Sequence, residues 1–128
     1  MTSTPMTSQP AASPDMCALW EWSYDDDFVD RLRRESARQN KTFIAYSGER
    51  TADIFQALDP RSAPPRMIID RASDNQPHLV IPLLHLKQLG AMLINDPEDM
   101  AWCRNKAAVH AELLQAGVRV PYSVILST

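Results

Sequence analysis

Four short apolar runs recur along the chain, and the segment between each pair is long enough to hold a helix. They are MCALWEW at Met16 to Trp22, KTFIAYS at Lys41 to Ser47, RMIID at Arg66 to Asp70, and AMLIN at Ala91 to Asn95. This spacing constrains the fold more than any other feature. Parallel strands need a crossover of a dozen or more residues, whereas antiparallel neighbours need only a tight turn. The Met-Ile-Ile stretch of the third run lacks polar alternation, as a strand does when both sheet faces are covered. The pattern predicts an α/β fold, a small mostly parallel sheet of four to five strands with helices on both faces. Right-handed crossovers collect the loops that follow the strands on one edge. Ligands in such sheets sit outside the carboxyl ends of the strands. That edge would carry Trp22-Ser23, Ser47-Gly48, Asp70 to Asp74 and Asn95-Asp96.

The intervening segments carry helix signals of unequal strength. Ser23 with Asp26 three residues later reads as a capping box. Phe28, Val29, Leu32 and Ser36 then share a helical face, and the helix should end near Gln39 or Asn40. Thr51 to Leu58 reads as a short helix with Ile54, Phe55 and Leu58 inward, stopped by Pro60, Pro64 and Pro65. Pro77 to Leu89 reads as a helix with Gly90 at its C-terminus, and Pro82 must kink or restart it. The strongest local signal is Asp96-Pro97-Glu98-Asp99, with Asp96 as cap and Pro97 at the first helical position. A single helix is expected from there to Ala116. Met100, Cys103, Ala107, Ala111 and Leu114 form its apolar stripe, and Gly117 ends it. Tyr122 to Leu126 is strand-like. Residues 1–15 are rich in Ser, Thr and Pro and read as a disordered tail. The domain spans 16–121, and 122–128 begin a further connection.

Composition excludes several classes. The chain of 128 residues carries 16 acidic and 13 basic side chains, a net charge of −3 with no dense basic run, so no nucleic-acid partner is expected. No stretch is long and apolar enough to span a membrane, and no secretory leader is legible. Cys17 and Cys103 are far apart, and the reading is a cytoplasmic protein with reduced thiols. With glycine only at positions 48, 90 and 117, neither the dinucleotide fingerprint nor a Walker A loop can be built. HExxH and GxSxG are absent. His78 and His85 could share a helix face, but a metal site there would need carboxylates from elsewhere.

Two groups of residues remain as candidates. Arg71, Ser73 and Asp74 follow the third run, where this architecture binds ligands. Ser73 or Asp74 could instead cap the next helix, and Asp70 could pair with Arg71 or a nearby amide. Arg71 could meet a carboxylate or phosphate with its planar fork. Lys106 could serve as a phosphate-binding point charge or lie on a solvated helix face. Trp20, Trp22 and Trp102 read as core, and Cys103 as a small buried hydrophobe.

Three segments together resemble a known family. IIDRASD at Ile68 to Asp74, LGAMLINDPEDM at Leu89 to Met100 and NKAAVHAELLQAGVRVPYSVIL at Asn105 to Leu126 resemble the N-terminal part of ATP-grasp ligases of the glutathione synthetase and RimK-like type. The resemblance runs over about Met16 to Leu126 and is most specific in its last part. It implies a pre-ATP-grasp domain that holds substrate, through Arg71, Ser73, Asp74 and Asn95. It implies that Lys106 approaches the ATP phosphates. Where the family commonly has Asp before this lysine, the chain has Asn105. The resemblance further implies that ATP and Mg²⁺ are gripped by C-terminal ATP-grasp lobes of on the order of 150 to 200 residues. The chain reaches Thr128 without them, so the expectation is a domain inactive alone, with no catalytic residue and no cofactor of its own. The competing expectation is a stand-alone binding or homodimerisation domain.

Overall fold

The computed structural model describes residues 12–48, 50, 51, 53, 54, 63–124 and 126. The fold is α/β and Rossmann-like. Strands β1 (Met16–Trp20), β2 (Phe43–Ser47), β3 (Met67–Arg71) and β4 (Met92–Ile94) form one sheet in the order β2-β1-β3-β4. Every pairing is parallel. Helices α1 (Asp26–Arg38), α2 (Val80–Gln88), α3 (Pro97–Cys103) and α4 (Lys106–Gln115) accompany the sheet.

Register explains which residue faces which layer. Cys17 aligns with Ile44 and Ile68, and Ile68 aligns with Leu93. Side chains alternate along a strand, so these residues and Leu19 share one face. Leu79, Leu83 and Leu86 pack on it from α2 and the turn before it, with Ile54 and Ala72, as the main core. Ala18 and Ile69 are buried on the opposite face. Helix α1 lies there, because Arg33 sits over the Phe43 ring and Arg71 sits over the Phe28 ring. Val29 and Ser36 are the buried residues of α1.

Several local expectations are corrected. Ser23 does not cap a helix with its side chain; it opens a 3-10 turn over Ser23–Asp25, and α1 begins at Asp26. Asp26 instead accepts a hydrogen bond from the Trp20 indole Nε1 at 2.9 Å. Pro82 produces no restart within α2. It is the third residue of that helix, where backbone N–H groups have no intrahelical acceptor anyway, and a 3-10 turn at Pro77–Leu79 leads in. The helix expected from Pro97 to Ala116 is two helices. The chain turns at Arg104, and Asn105 caps α4 by accepting from the Ala108 N–H at 3.1 Å. Thus the apolar stripe of a single helix is broken, Cys103 and Trp102 are exposed, and α4 buries no residue. Trp22 is also exposed, while Trp20 is half-buried.

At the chain's start, residues 12–15 are tied to the sheet rather than loose. Pro14 and Asp15 carbonyls accept from Arg66 and Met67, and the Asp15 carboxylate accepts from the Thr42 N–H. Residues 1–11 lie outside the described residues, as do Phe55, Leu58 and Pro60. Tyr122 to Val124 form no strand and are exposed. No helix among the described residues is long and apolar enough to cross a membrane.

The two thiols therefore differ sharply. Cys17 is fully buried and burial pushes its thiol up to about 12, whereas Cys103 is exposed. Iodoacetamide at mildly alkaline pH should modify Cys103 alone in the folded chain and both thiols in urea. Peptide mass mapping reads the result; folded-state labelling of Cys17 would contradict this core.

Candidate functional site

The strand order creates one special place on the carboxyl edge. The chain leaves β1 toward β2 on one side and later reaches β3 on the other. The connections that follow β1 and β3 diverge there and leave a crevice, the topological switch point at which open α/β sheets bind ligands. A cleft of about 210 Å³ lies there. Its floor and walls include Asp25 after β1, Arg71, Ser73 and Asp74 from the end of β3 onward, and Asn95 after β4. All four residues proposed from the sequence as substrate contacts are brought together. Ser47-Gly48, also expected on this edge, do not line the cleft.

Two of the four are committed to the protein itself. Asp70 is buried at the end of β3, and its Oδ1 accepts from the backbone N–H groups of Ala72 and Ser73, both at 3.0 Å. The Ser73 hydroxyl donates to Asp70 Oδ2. Asn95 donates from Nδ2 to the Asp70 carbonyl at 2.9 Å and holds a left-handed φ of 61°. Asparagine tolerates that conformation better than other side chains with a Cβ. Ser73 and Asn95 thus shape the cleft by holding Asp70, and among the described residues neither the Arg71 nor the Asp74 side chain bonds to Asp70.

Arg71 is not free-floating. Its Nη2 pairs with Asp25 Oδ1 at 2.7 Å, and its guanidinium rests over the Phe28 ring at 5.6 Å. The Asp25 hydrogen bond is the main reason the Arg71 pKa is raised; partial burial opposes it. Asp25 itself is 4% exposed, and its Oδ2 has no hydrogen-bond partner among the described residues. Sequence reasoning missed Asp25. The available signal was three consecutive aspartates, Asp25 to Asp27, just past the carboxyl end of β1. Beside the ion pair, Trp22 and Tyr24 stack with ring centroids 5.9 Å apart and planes 13° apart. Both line the cleft.

Lys106 lies elsewhere. It is the exposed first residue of α4 and flanks a separate, open concavity with His110, Ser123 and Val124. The expected phosphate contact and substrate contacts therefore do not share one pocket. His78 and His85 are exposed, and no cluster of three or more potential metal ligands occurs among the described residues.

A second charge cluster braces the edge. Lys87 at the end of α2 pairs with the buried Asp96 and with Glu98 at 2.9 Å. Asp96 also caps α3 by accepting from the Glu98 N–H at 3.0 Å. Arg104 Nη2 donates to the Asp74 carbonyl at 2.7 Å, tying the end of α3 to the β3 loop. No protein-family model, curated protein or solved structure matches the chain.

Burial pushes the Asp96 carboxyl up, but Lys87 and the Glu98 amide outweigh it and hold the carboxyl below its ordinary 3.8. A depressed folded-state value stabilises the fold above the unfolded pKa, and this stabilisation is lost as pH falls through the folded value. Lys87→Met should therefore lower the urea midpoint at neutral pH, and the gap to the parent should be smaller at an acid pH well below the ordinary 3.8. Equal gaps at the two pH values would show that the pair does not carry this linkage.

Proposed function

We propose that the chain is a pre-ATP-grasp domain, the substrate-side part of an ATP-dependent carboxylate–amine ligase. The observation that carries this reading is the polar cleft at the β1/β3 switch point. There the two segments Ile68–Asp74 and Leu89–Met100, which bear the family resemblance, converge through the Asn95–Asp70 hydrogen bond. In the ligase reaction ATP phosphorylates a carboxylate, and an amine then displaces phosphate from the acyl phosphate. Magnesium and basic side chains stabilise the transferring phosphoryl group.

In this reading the division of labour follows the positions of the residues. Arg71 and Asp74 contact the substrate, and Ser73 and Asn95 hold their loop in shape. Lys106, outside the cleft and with no ion pair among the described residues, points its charge to a neighbouring ATP-grasp lobe. That lobe and its partner grip ATP and Mg²⁺. The domain by itself performs no phosphoryl transfer.

Calorimetric titration of the folded chain with Mg-ATP should give no saturable heat at millimolar nucleotide. Saturable, Lys106-dependent binding would instead make the chain a nucleotide module in its own right. In the complete ligase, Lys106→Ala should raise the apparent KM for ATP or lower kcat by about tenfold or more, the effect of losing one charge-assisted contact. Unchanged ATP kinetics would remove Lys106 from the nucleotide site.

One observation favours a second reading, a binding or homodimerisation domain. Met92 and Ile94 are exposed on edge strand β4. By register they lie on the same face as Ala18 and Ile69, at the end of the sheet away from β2, the strand that α1 contacts. Light scattering tests the homodimer: a dimer that Ile94→Lys dissociates supports it, and a monomer at high concentration removes it.

A further inference from the structure

Among the described residues, three carboxylates, Asp25, Asp70 and Asp74, line the cleft beside a single cation, Arg71. Asp70 is satisfied by its own loop. Asp25 is not, because among the described residues only Oδ1 has a partner. A buried carboxylate oxygen without a donor is costly, and a ligand that supplies the donor recovers that cost. Arg71 is likewise underused. It meets Asp25 through one nitrogen, and its side chain is 39% exposed. The cleft thus has spare guanidinium donors at its surface and, buried behind them, an acceptor that no described residue partners.

Local charge argues against a phosphate or a simple dianion, since the acidic groups outnumber the one cation. It equally disfavours a bare amine, which would leave the Arg71 fork unused. Size limits the occupant as well. About 210 Å³ falls below the ~300–1,000 Å³ of sites for drug-sized ligands. The stacked Trp22 and Tyr24 rings supply an apolar wall at the mouth.

We infer that the cleft recognises a small zwitterion of the α-amino acid type with an aromatic or otherwise apolar side chain. The ligand ammonium donates to Asp25 Oδ2, and its carboxylate accepts from Arg71. Entry turns the exposed guanidinium away from Asp25 toward the ligand carboxylate and opens the carboxylate behind it. The resulting exchange replaces one ion pair by two, with charges alternating along the site. The ligand's apolar group rests against Trp22. This inference names the occupant of the cleft and rests on the reading above that the cleft binds substrate, not on the ligation chemistry.

The test is calorimetry on the folded full chain with three probes: L-phenylalanine, 3-phenylpropanoate, which lacks the amine, and 2-phenylethylamine, which lacks the carboxylate. L-Phenylalanine should bind at least about tenfold more tightly than either truncated probe, since each loses a charge-assisted contact. In Asp25→Asn the preference for phenylalanine over 3-phenylpropanoate should collapse to near unity while 3-phenylpropanoate still binds. That retained binding shows that the variant is folded. Equal affinity of the parent chain for phenylalanine and 3-phenylpropanoate, or no binding of any probe, would overturn the inference without recourse to a variant. The ligase reading fails separately. If phenylalanine binds as expected but the complete protein shows no amine-dependent consumption of ATP, the zwitterion site stands and the ligase does not. If amine-dependent ATP consumption occurs while the cleft ignores all three probes, the ligase stands and this occupant is wrong.

Discussion

The buried Asp70 carboxylate, at the end of the central strand β3, organises the whole carboxyl edge. It gathers the Ala72 and Ser73 amides and the Ser73 hydroxyl, and its carbonyl accepts the Asn95 amide. Those bonds turn the chain sharply out of β3 and pin the end of β4 beside it. The turn satisfies backbone groups that would otherwise be buried without partners. It also decides where Arg71 stands. The residue next to Asp70 points to the opposite face of the strand, so Arg71 meets α1 and Asp25 while Asp70 faces the α2 layer.

The cleft therefore depends on the sheet being parallel. Both β1 and β3 end on one edge, and their outgoing connections leave on different sides. Asp25 and Arg71 come from different strand ends and meet only because β1 and β3 are neighbours. The cleft is braced behind by Lys87 with Asp96 and Glu98, and by the Arg104 bond to the Asp74 carbonyl. These contacts join α2, α3 and the β3 loop into one support. Helix α4 follows the bend at Arg104 and buries nothing. Its Lys106 is separated from the cleft accordingly.

Much of the architecture was legible because it follows from local periodicity. Each apolar run became a strand, although the first ends at Trp20 because the chain enters a 3-10 turn at Ser23. The Asp96-Pro97 start was legible because capping is a contact between residues two apart. The single helix expected after it was not correct. Helical spacing alone continues across Arg104 and Asn105, but an asparagine ahead of a run of helix formers is also an N-cap, and here the cap prevailed. Of the site, Arg71, Ser73, Asp74 and Asn95 could be read from their place after strands. Which of them bond to Asp70 and hold the loop could not, since that depends on which hydrogen bonds each makes.

The sequence by itself determined the alternation of strand and helix, the parallel sheet that this alternation requires, and the edge on which polar residues collect. These are consequences of side-chain period and of connection length, both local properties. Tertiary structure alone decided that one of three successive aspartates is buried against Arg71 with an oxygen that no described residue partners, and that two aromatic rings stand beside it at the surface. Asp25 and Arg71 are remote in sequence, and no pattern along the chain records a pairing made only when two strand ends are brought side by side.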